Sequence, residues 1–468
     1  MMYRTIVFLV ATAGFTAACA QTESAQNESA AGMEAAVDDY ARAQGILTAK
    51  CAACHGSEKA DAGLRLDSWD HIVRGSQHGE ALIAFDPDNS LMIELATKRV
   101  DGSHPGEAGA DTLTASEVDA LRRWIADGAR NAAGETPYAS ARNLVYVCNQ
   151  AEATVSVIDA DENVVIRNVD LRKLGYGPMA KPHHVAVEPG GDHWYVSLIG
   201  ENRVLKFTRD NELVGEVEFE VPGMLVFDAS SDLLYAGRSM SAVNPPTRIG
   251  VINTKDMSAD EIDVFVPRPH ALAVAPDGKY VYSASLAQNT VVAVNAETYE
   301  ATLTDMGGPV QTLVQFAMSS DGSMLGAGGQ LSGKFLRFDI AGTPSVAVTD
   351  SLTVGGMPWH PVFAPDGMLY VPNKGMNSVA VIDLSVPEIV ALVKGNGLSQ
   401  PHGSAVSSDG RYVYVSNNNM KHAYKPRHDL GDNGMIGTVV VIDVASHEIV
   451  KVIEVENGAT GVGAVPAG

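Results

Sequence analysis

Basic residues are scarce in this chain. It holds 33 Lys and Arg against 56 Asp and Glu, a formal net charge of −23 over 468 residues. That balance excludes nucleic acid as a partner, because affinity there comes from cations neutralising phosphates. An anionic membrane surface would repel it as well. Cysteine is scarce too: Cys19, Cys51, Cys54 and Cys148 are too few for a disulfide scaffold. No run after the first twenty residues reaches the roughly 18 apolar residues of a membrane-spanning helix. No P-loop, dinucleotide fingerprint or catalytic-triad signature occurs, so nucleotide and hydrolytic chemistry have no support. What is abundant is apolar residues, at 46%, with 45 Gly and 22 Pro. This composition implies a large core and many turns.

Residues 1–20, MMYRTIVFLVATAGFTAACA, read as a secretory signal. Arg4 precedes an apolar run from Ile6 to Phe15, and small residues follow. Thr16-Ala17-Ala18-Cys19 resembles a bacterial lipobox with Cys19 as the lipidated residue, while Ala18-Cys19-Ala20 also fits ordinary signal peptidase. The expected location is therefore the periplasm, or the outer membrane through an N-terminal lipid anchor. Residues 21–36 are polar and read as a flexible linker.

Cys51-Ala52-Ala53-Cys54-His55 carries the strongest chemical signal. A C-x-x-C-H run is the attachment site of a c-type haem. On a helical turn, positions i, i+3 and i+4 share one face. Two thiols there can reach both vinyl groups of one porphyrin edge, and the following imidazole is then the proximal iron ligand. The competing reading, a thioredoxin-like redox pair, needs a βαβ setting. Here the motif ends a helical stretch, Val37 to Lys50.

The neighbouring sequence includes Leu64-Arg65-Leu66-Asp67-Ser68 and a closing helix with Trp124-Ile125 and Gly128-Ala129. With the haem motif, this resembles the Planctomycete-type cytochrome c family over roughly residues 40–132. Thr114 is the expected N-cap of the last helix, with Glu117 completing a capping box. Leu113, Val118, Leu121, Trp124 and Ile125 would form its apolar stripe. The family carries a Met-Pro dipeptide before this helix, whose Met resembles the distal ligand. This chain has His104-Pro105 instead, so the resemblance implies a bis-histidine haem through His55 and His104. Met92 is the alternative ligand, although its place in the run Leu91 to Leu95 suggests core packing. His71 and His78 are expected to face solvent. The all-α cytochrome domain is placed at 37–133.

From Asn143 the chain repeats. AVAPDGKYVYSAS, FAPDGMLYVPN and AVSSDGRYVYVSN recur with closing strands such as TVSVID, SVAVID and TVVVID. Seven units begin near Asn143, Pro182, Pro222, Pro269, Pro309, Pro358 and Pro401, a spacing of about 47 residues that suits propeller blades. The expected architecture is an all-β seven-bladed propeller over 143–468. The units are similar to YVTN-type repeats, with Tyr146-Val147-Cys148-Asn149 in the first. That unit lacks an inner strand, which Thr460 to Val465 would supply, removing the open edge.

His183, His184, His270, His360 and His402 all fall at the starts of inner strands, on one face of the propeller. Chance would put about 0.4 of the nine propeller histidines there. Two readings stay open: a polar, water-lined channel mouth, or a second metal site, since imidazole suits copper and iron. Two long loops share that face. The second holds His422, Tyr424, Lys425, Arg427 and His428 and is expected to act as a lid or contact surface. Cys148 is expected to be a buried small hydrophobe, with a thiolate metal ligand as the alternative.

The functional expectation is an exported electron-transfer protein with one covalent haem c. Its propeller would take a small-molecule substrate, a metal (copper or a second iron) or a redox partner protein. The alternative is a propeller that only docks a protein to which the haem relays electrons. A haem sensor would need an open distal position, against which His104 argues.

Overall fold

The structure is a computed structural model describing residues 38–97, 113–239, 246–340, 344–428 and 435–466. The chain divides into two compact units, Met1–Ala139 and Ser140–Gly468.

The first unit is helical. Helix α1 spans 38–50, α2 Trp69–Arg74, α3 Leu91–Thr97 and α4 Ala115–Ala126. Helix α4 starts as its sequence requires. The Glu117 amide donates to the Thr114 hydroxyl at 3.3 Å, and the Thr114 amide donates to the Glu117 carboxylate at 2.7 Å. Its inner face buries Leu121, Trp124 and Ile125 against Ala43 and Leu47 of α1, Ile72 of α2 and Ile93 of α3. Both tryptophans here find acceptors, Trp69 at the Ala129 carbonyl and Trp124 at the Arg130 carbonyl. Their rings can therefore pack in the core without an orphaned donor.

The second unit is seven four-stranded antiparallel sheets. The first strands of successive sheets touch in a closed circuit, so the sheets are blades around an axis. Blade 1 takes its inner strand from the C-terminus: Ala459–Ala464 pairs with Leu144–Asn149, as the repeat pattern predicts. The inner strands of blades 2 to 7 are Pro182–Val187, Pro222–Asp228, Pro269–Val274, Leu313–Met318, Val362–Phe363 and Pro401–Val406. One expected boundary moves. Blade 5 starts its strand at Leu313, four residues after Pro309, because Leu313 and not the proline pairs with Gly329.

Two backbone features recur at the top of every inner strand, and both position the site. The residue before the strand entry has positive φ in all seven blades: Lys181 (53°), Val221 (40°), Arg268 (53°), Thr312 (56°), Met357 (56°), Gln400 (59°) and Gly458 (74°). Only the last is glycine. Five of these residues precede a proline, which disfavours helical-type conformations for its predecessor. In the six non-glycine residues the strain costs on the order of 1–3 kcal/mol each and persists because the ring over-determines it. The pairing register then shifts. In blade 2 Pro182 faces Leu198 but Val185 faces Val196, so two residues oppose one. Blades 1, 3, 4, 5 and 7 shift at the same place. Blade 6 bridges Pro358 to Asn373 before its short strand resumes at Val362. Such bulges bend a strand and re-aim its side chains.

Candidate functional sites

In the helical unit the haem motif forms a helical turn after α1. The Cys51 amide donates to the Leu47 carbonyl, and the His55 amide to the Cys51 carbonyl, both at 2.9 Å. This sets Cys51, Cys54 and His55 at the i, i+3, i+4 spacing. Gly56 follows because a Cβ there would collide with the Ala52 carbonyl. The Leu-Arg-Leu-Asp-Ser block then locks the turn from behind. The Leu66 amide donates to the His55 carbonyl at 2.7 Å while its side chain enters the core. Arg65 and His71 both bind Asp67, at 2.5 and 2.8 Å. His71 is thus tied into a half-buried surface turn, and His78 is exposed.

Both motif cysteines are free thiols. Cys54 is exposed, and Cys51 packs at the edge of the apolar cluster with Leu64, Trp69, Met92 and Leu113. Burial, with smaller contributions from Cys54 and Glu117, pushes the Cys51 thiol up to about 11. A nucleophilic redox cysteine needs the opposite shift. A thioether is uncharged and loses nothing in that place. The residues therefore fit haem attachment: two thiols and an imidazole on one turn, beside an apolar wall. Met92 is half-buried on that wall, in keeping with core packing. His104, Cys19 and the whole of residues 1–37 lie outside the described residues.

In the propeller all five expected histidines come together. His183 and His184 are the two bulged residues of blade 2, His270 the extra residue of blade 4, and His402 one of the pair in blade 7. His360 lies in the irregular entry of blade 6. The bulges turn these side chains towards one another from four blades. Ring centroids are 5.9 Å apart for His183 and His270, 6.1 Å for His183 and His402, 6.0 Å for His184 and His360, and 4.8 Å for His360 and His402. Burial lowers every one of these imidazoles, His184 to about 3 and His270 to about 4, so all are neutral at pH 7.

Their hydrogen bonds are incomplete. His270 Nδ1 lies 2.7 Å from the Val314 carbonyl, to which it donates; His184 Nδ1 accepts from the Leu225 amide at 3.3 Å; His183 Nδ1 lies 3.4 Å from the Gln150 side-chain amide. His183 Nε2, His270 Nε2, both nitrogens of His360 and His402 Nδ1 are buried without a partner. Despite this gathering, no group of three or more His, Cys, Asp or Glu among the described residues is arranged to hold a metal ion. The expected copper or second iron thus gains no support from the geometry. Nor does Cys148 as a thiolate ligand: it is buried in the core of blades 1 and 2, and burial raises its thiol strongly. It stands where blades 2 and 7 have Ser197 and Ser416, opposite the bulge, a place that admits only a small residue.

Two neighbours were not singled out from sequence. Trp359 packs 5.3 Å from the His402 ring, and its indole N–H is buried without an acceptor. Lys374 places its ammonium 4.3 Å from the centre of the Trp359 ring. A signal for Lys374 existed: among the short loops joining second to third strands, only its own carries a basic residue. The described part of the long loop of blade 7 packs on its own blade. The Tyr424 hydroxyl and the Arg427 amide donate to Glu454 at 2.8 and 2.7 Å, which holds that stretch against the outer strand of its own blade. Residues 240–245 and 429–434 of the two long loops lie outside the described residues.

Residues 51–104 match the Planctomycete cytochrome C family model. The cytochrome assignment thus rests on both the family match and the motif turn. No curated protein matches the chain in sequence. Among solved structures, a protein of unknown function from Desulfotomaculum acetoxidans DSM 771 is similar at 13% identity, covering 70% of this chain and 100% of that one with a TM-score of 0.54. A Bacteroides fragilis NCTC 9343 protein, provisionally named a 6-phosphogluconolactonase, is similar at 16% identity, covering 70% and 99% with a TM-score of 0.51. At such identities the likeness concerns the fold.

Proposed function

We propose that this chain is an exported c-type cytochrome that transfers electrons, with the propeller mouth as the place where a substrate or redox partner engages. The observation that carries this reading is the motif turn: Cys51, Cys54 and His55 on one hydrogen-bonded turn at the border of an apolar cluster. Haem bound there supplies a one-electron Fe(III)/Fe(II) couple. The chain's own part is to hold it through two thioethers, ligate through His55 and exclude water with Leu64, Leu121, Trp124 and their neighbours. His104 would be the sixth ligand in this reading, with Met92 left to pack against the core. Two imidazoles give a lower potential than an imidazole and a thioether. Export rests on the signal-like segment 1–20, whose Cys19 would be either a lipid anchor or part of an ordinary cleavage site, and export would bring the chain to where haem is attached.

Expression with haem-maturation machinery tests it. One haem per chain that resists acid extraction is expected, with a low-spin spectrum that His104→Ala abolishes and Met92→Ala leaves intact. Haem that extracts freely, or a chain that takes none, overturns the reading.

A further inference from the structure

The propeller mouth buries more hydrogen-bonding capacity than its own atoms satisfy. The Trp359 indole N–H, which can only donate, has no acceptor. Both nitrogens of His360 and Nδ1 of His402 are likewise unpartnered, and these three rings touch. Lys374 stands against the same indole and makes no ion pair among the described residues. Buried polar groups without partners in a folded protein call for a ligand or ordered water.

The charge pattern narrows the choice. The one charged group bearing on His183, His360 and His402 is Lys374, their other neighbours in the cluster being neutral imidazoles, and none of these rings forms an ion pair with a carboxylate among the described residues. In a chain with 56 acidic residues, this is a cluster from which acids are kept away. A cation has no counter-charge here, and no metal-holding group is formed. Burial lowers Lys374 to about 8, so it stays largely charged at neutral pH. Convergent N–H donors, one ammonium and no carboxylate suit an anion with several acceptor oxygens.

We propose that the channel mouth binds a small monoanionic oxyanion, its oxygens accepting from Trp359 Nε1, from His360 and His402, and from the Lys374 ammonium. His183, His184 and His270 complete the wall. His270 Nε2 is an acceptor there, because its Nδ1 proton goes to the Val314 carbonyl. This deepens the reading of the propeller as a substrate platform and rests on it, yet the binding is measurable whatever the haem does.

Calorimetry on the full, haem-loaded chain in chloride-free buffer at low ionic strength tests it with acetate, glycolate and nitrate. At least one binds with millimolar or tighter affinity in one-to-one ratio. Preference for acetate or glycolate marks an organic acid, and preference for nitrate an inorganic anion. Lys374→Met weakens binding at least about tenfold, as loss of a charge-assisted bond should. Trp359→Phe, which keeps the ring and removes the donor, weakens it severalfold. Both variants keep the parent's unfolding midpoint without ligand. Failure of all three anions to bind, or equal binding by both variants, overturns the proposal. So does one-to-one binding of Cu(II) or Zn(II) that Lys374→Met leaves unchanged. The haem spectrum of the same samples separates these failures from failure of the cytochrome reading.

Discussion

The two units carry their chemistry in opposite ways. In the cytochrome unit the reactive residues are contiguous: five residues of one turn hold both thiols and the imidazole. In the propeller they are dispersed. His183 and His402 are 219 positions apart in the chain, yet their rings lie 6.1 Å apart. A local turn needs one helix end and one packed block behind it. A dispersed site needs the whole ring closed and every bulge in place. The cytochrome site should therefore fail through its own few residues, and the propeller site through the architecture.

The largest effect expected is on the first of these. Replacing Cys51 and Cys54 together by Ala removes both thioether positions, and covalent haem falls to nothing by haem stain and mass. The propeller, with its own core clusters, keeps its strand signal in circular dichroism. A propeller that unfolds with this change would break the comparison.

The reciprocal lesion is in the ring. Gly461, in the inner strand of blade 1, lies against the backbone of His183 and His184, so a Cβ collides with main chain that cannot move aside. Gly461→Val should cost at least about 3 kcal/mol, the upper range for overpacking. It should open the ring between blades 1 and 2 while haem remains attached. An unchanged propeller unfolding midpoint would show that closure at this strand is not what holds the ring.

What could be read in the sequence follows the same division. The C-x-x-C-H motif and the capping box at Thr114 and Glu117 are local patterns; the structure forms the cap as read and puts the motif on a hydrogen-bonded turn. The blade count and the C-terminal closing strand were legible too, since strand alternation and Asp-Gly turns repeat. The Pro-His positions showed where the histidines gather. What they surround was not legible, because the entry proline marks where a strand starts but not which way the bulge after it turns the side chains, and Lys, Val, Arg, Thr, Met and Gln all adopt the positive φ before the strand. Lys374 escaped notice because its role depends on facing Trp359 across a loop. The fifth blade misled because Pro309 mimics an entry proline that Leu313 replaces.

Acid should distinguish the units next. His183, His184, His270, His360 and His402 face one another and Lys374, and all are held neutral in the fold. Their folded pKa values lie below the unfolded value near 6.5. The unfolded chain therefore binds more protons as pH falls, and stability is lost from about pH 6.5 downwards, towards about 4 for His270 and about 3 for His184. Each imidazole that charges only on unfolding contributes a slope of up to about 1.4 kcal/mol per pH unit. The propeller's unfolding midpoint should fall between pH 6.5 and 5. Replacing His270 by Gln should flatten that slope, and a slope unaltered by it would place the acid sensitivity elsewhere.

The smallest effect compares one kind of lesion in both units. Thr114→Ala removes the cap of α4, and Asp170→Ala removes the side chain that accepts the Arg172 amide ahead of the short helix Leu171–Leu174, together with a half-exposed Arg172 ion pair that adds little. Each cap is worth about 1 kcal/mol. A given free-energy loss displaces the midpoint in inverse proportion to the unfolding entropy, which grows with domain size. In the haem-loaded protein, Thr114→Ala should lower the cytochrome midpoint by about 4–8 °C, the range for a domain under 100 residues or so. Asp170→Ala should move the propeller by less than about 4 °C. Equal shifts in calorimetry would mean that the two units unfold as one cooperative body, so that the local and the dispersed site stand or fall together.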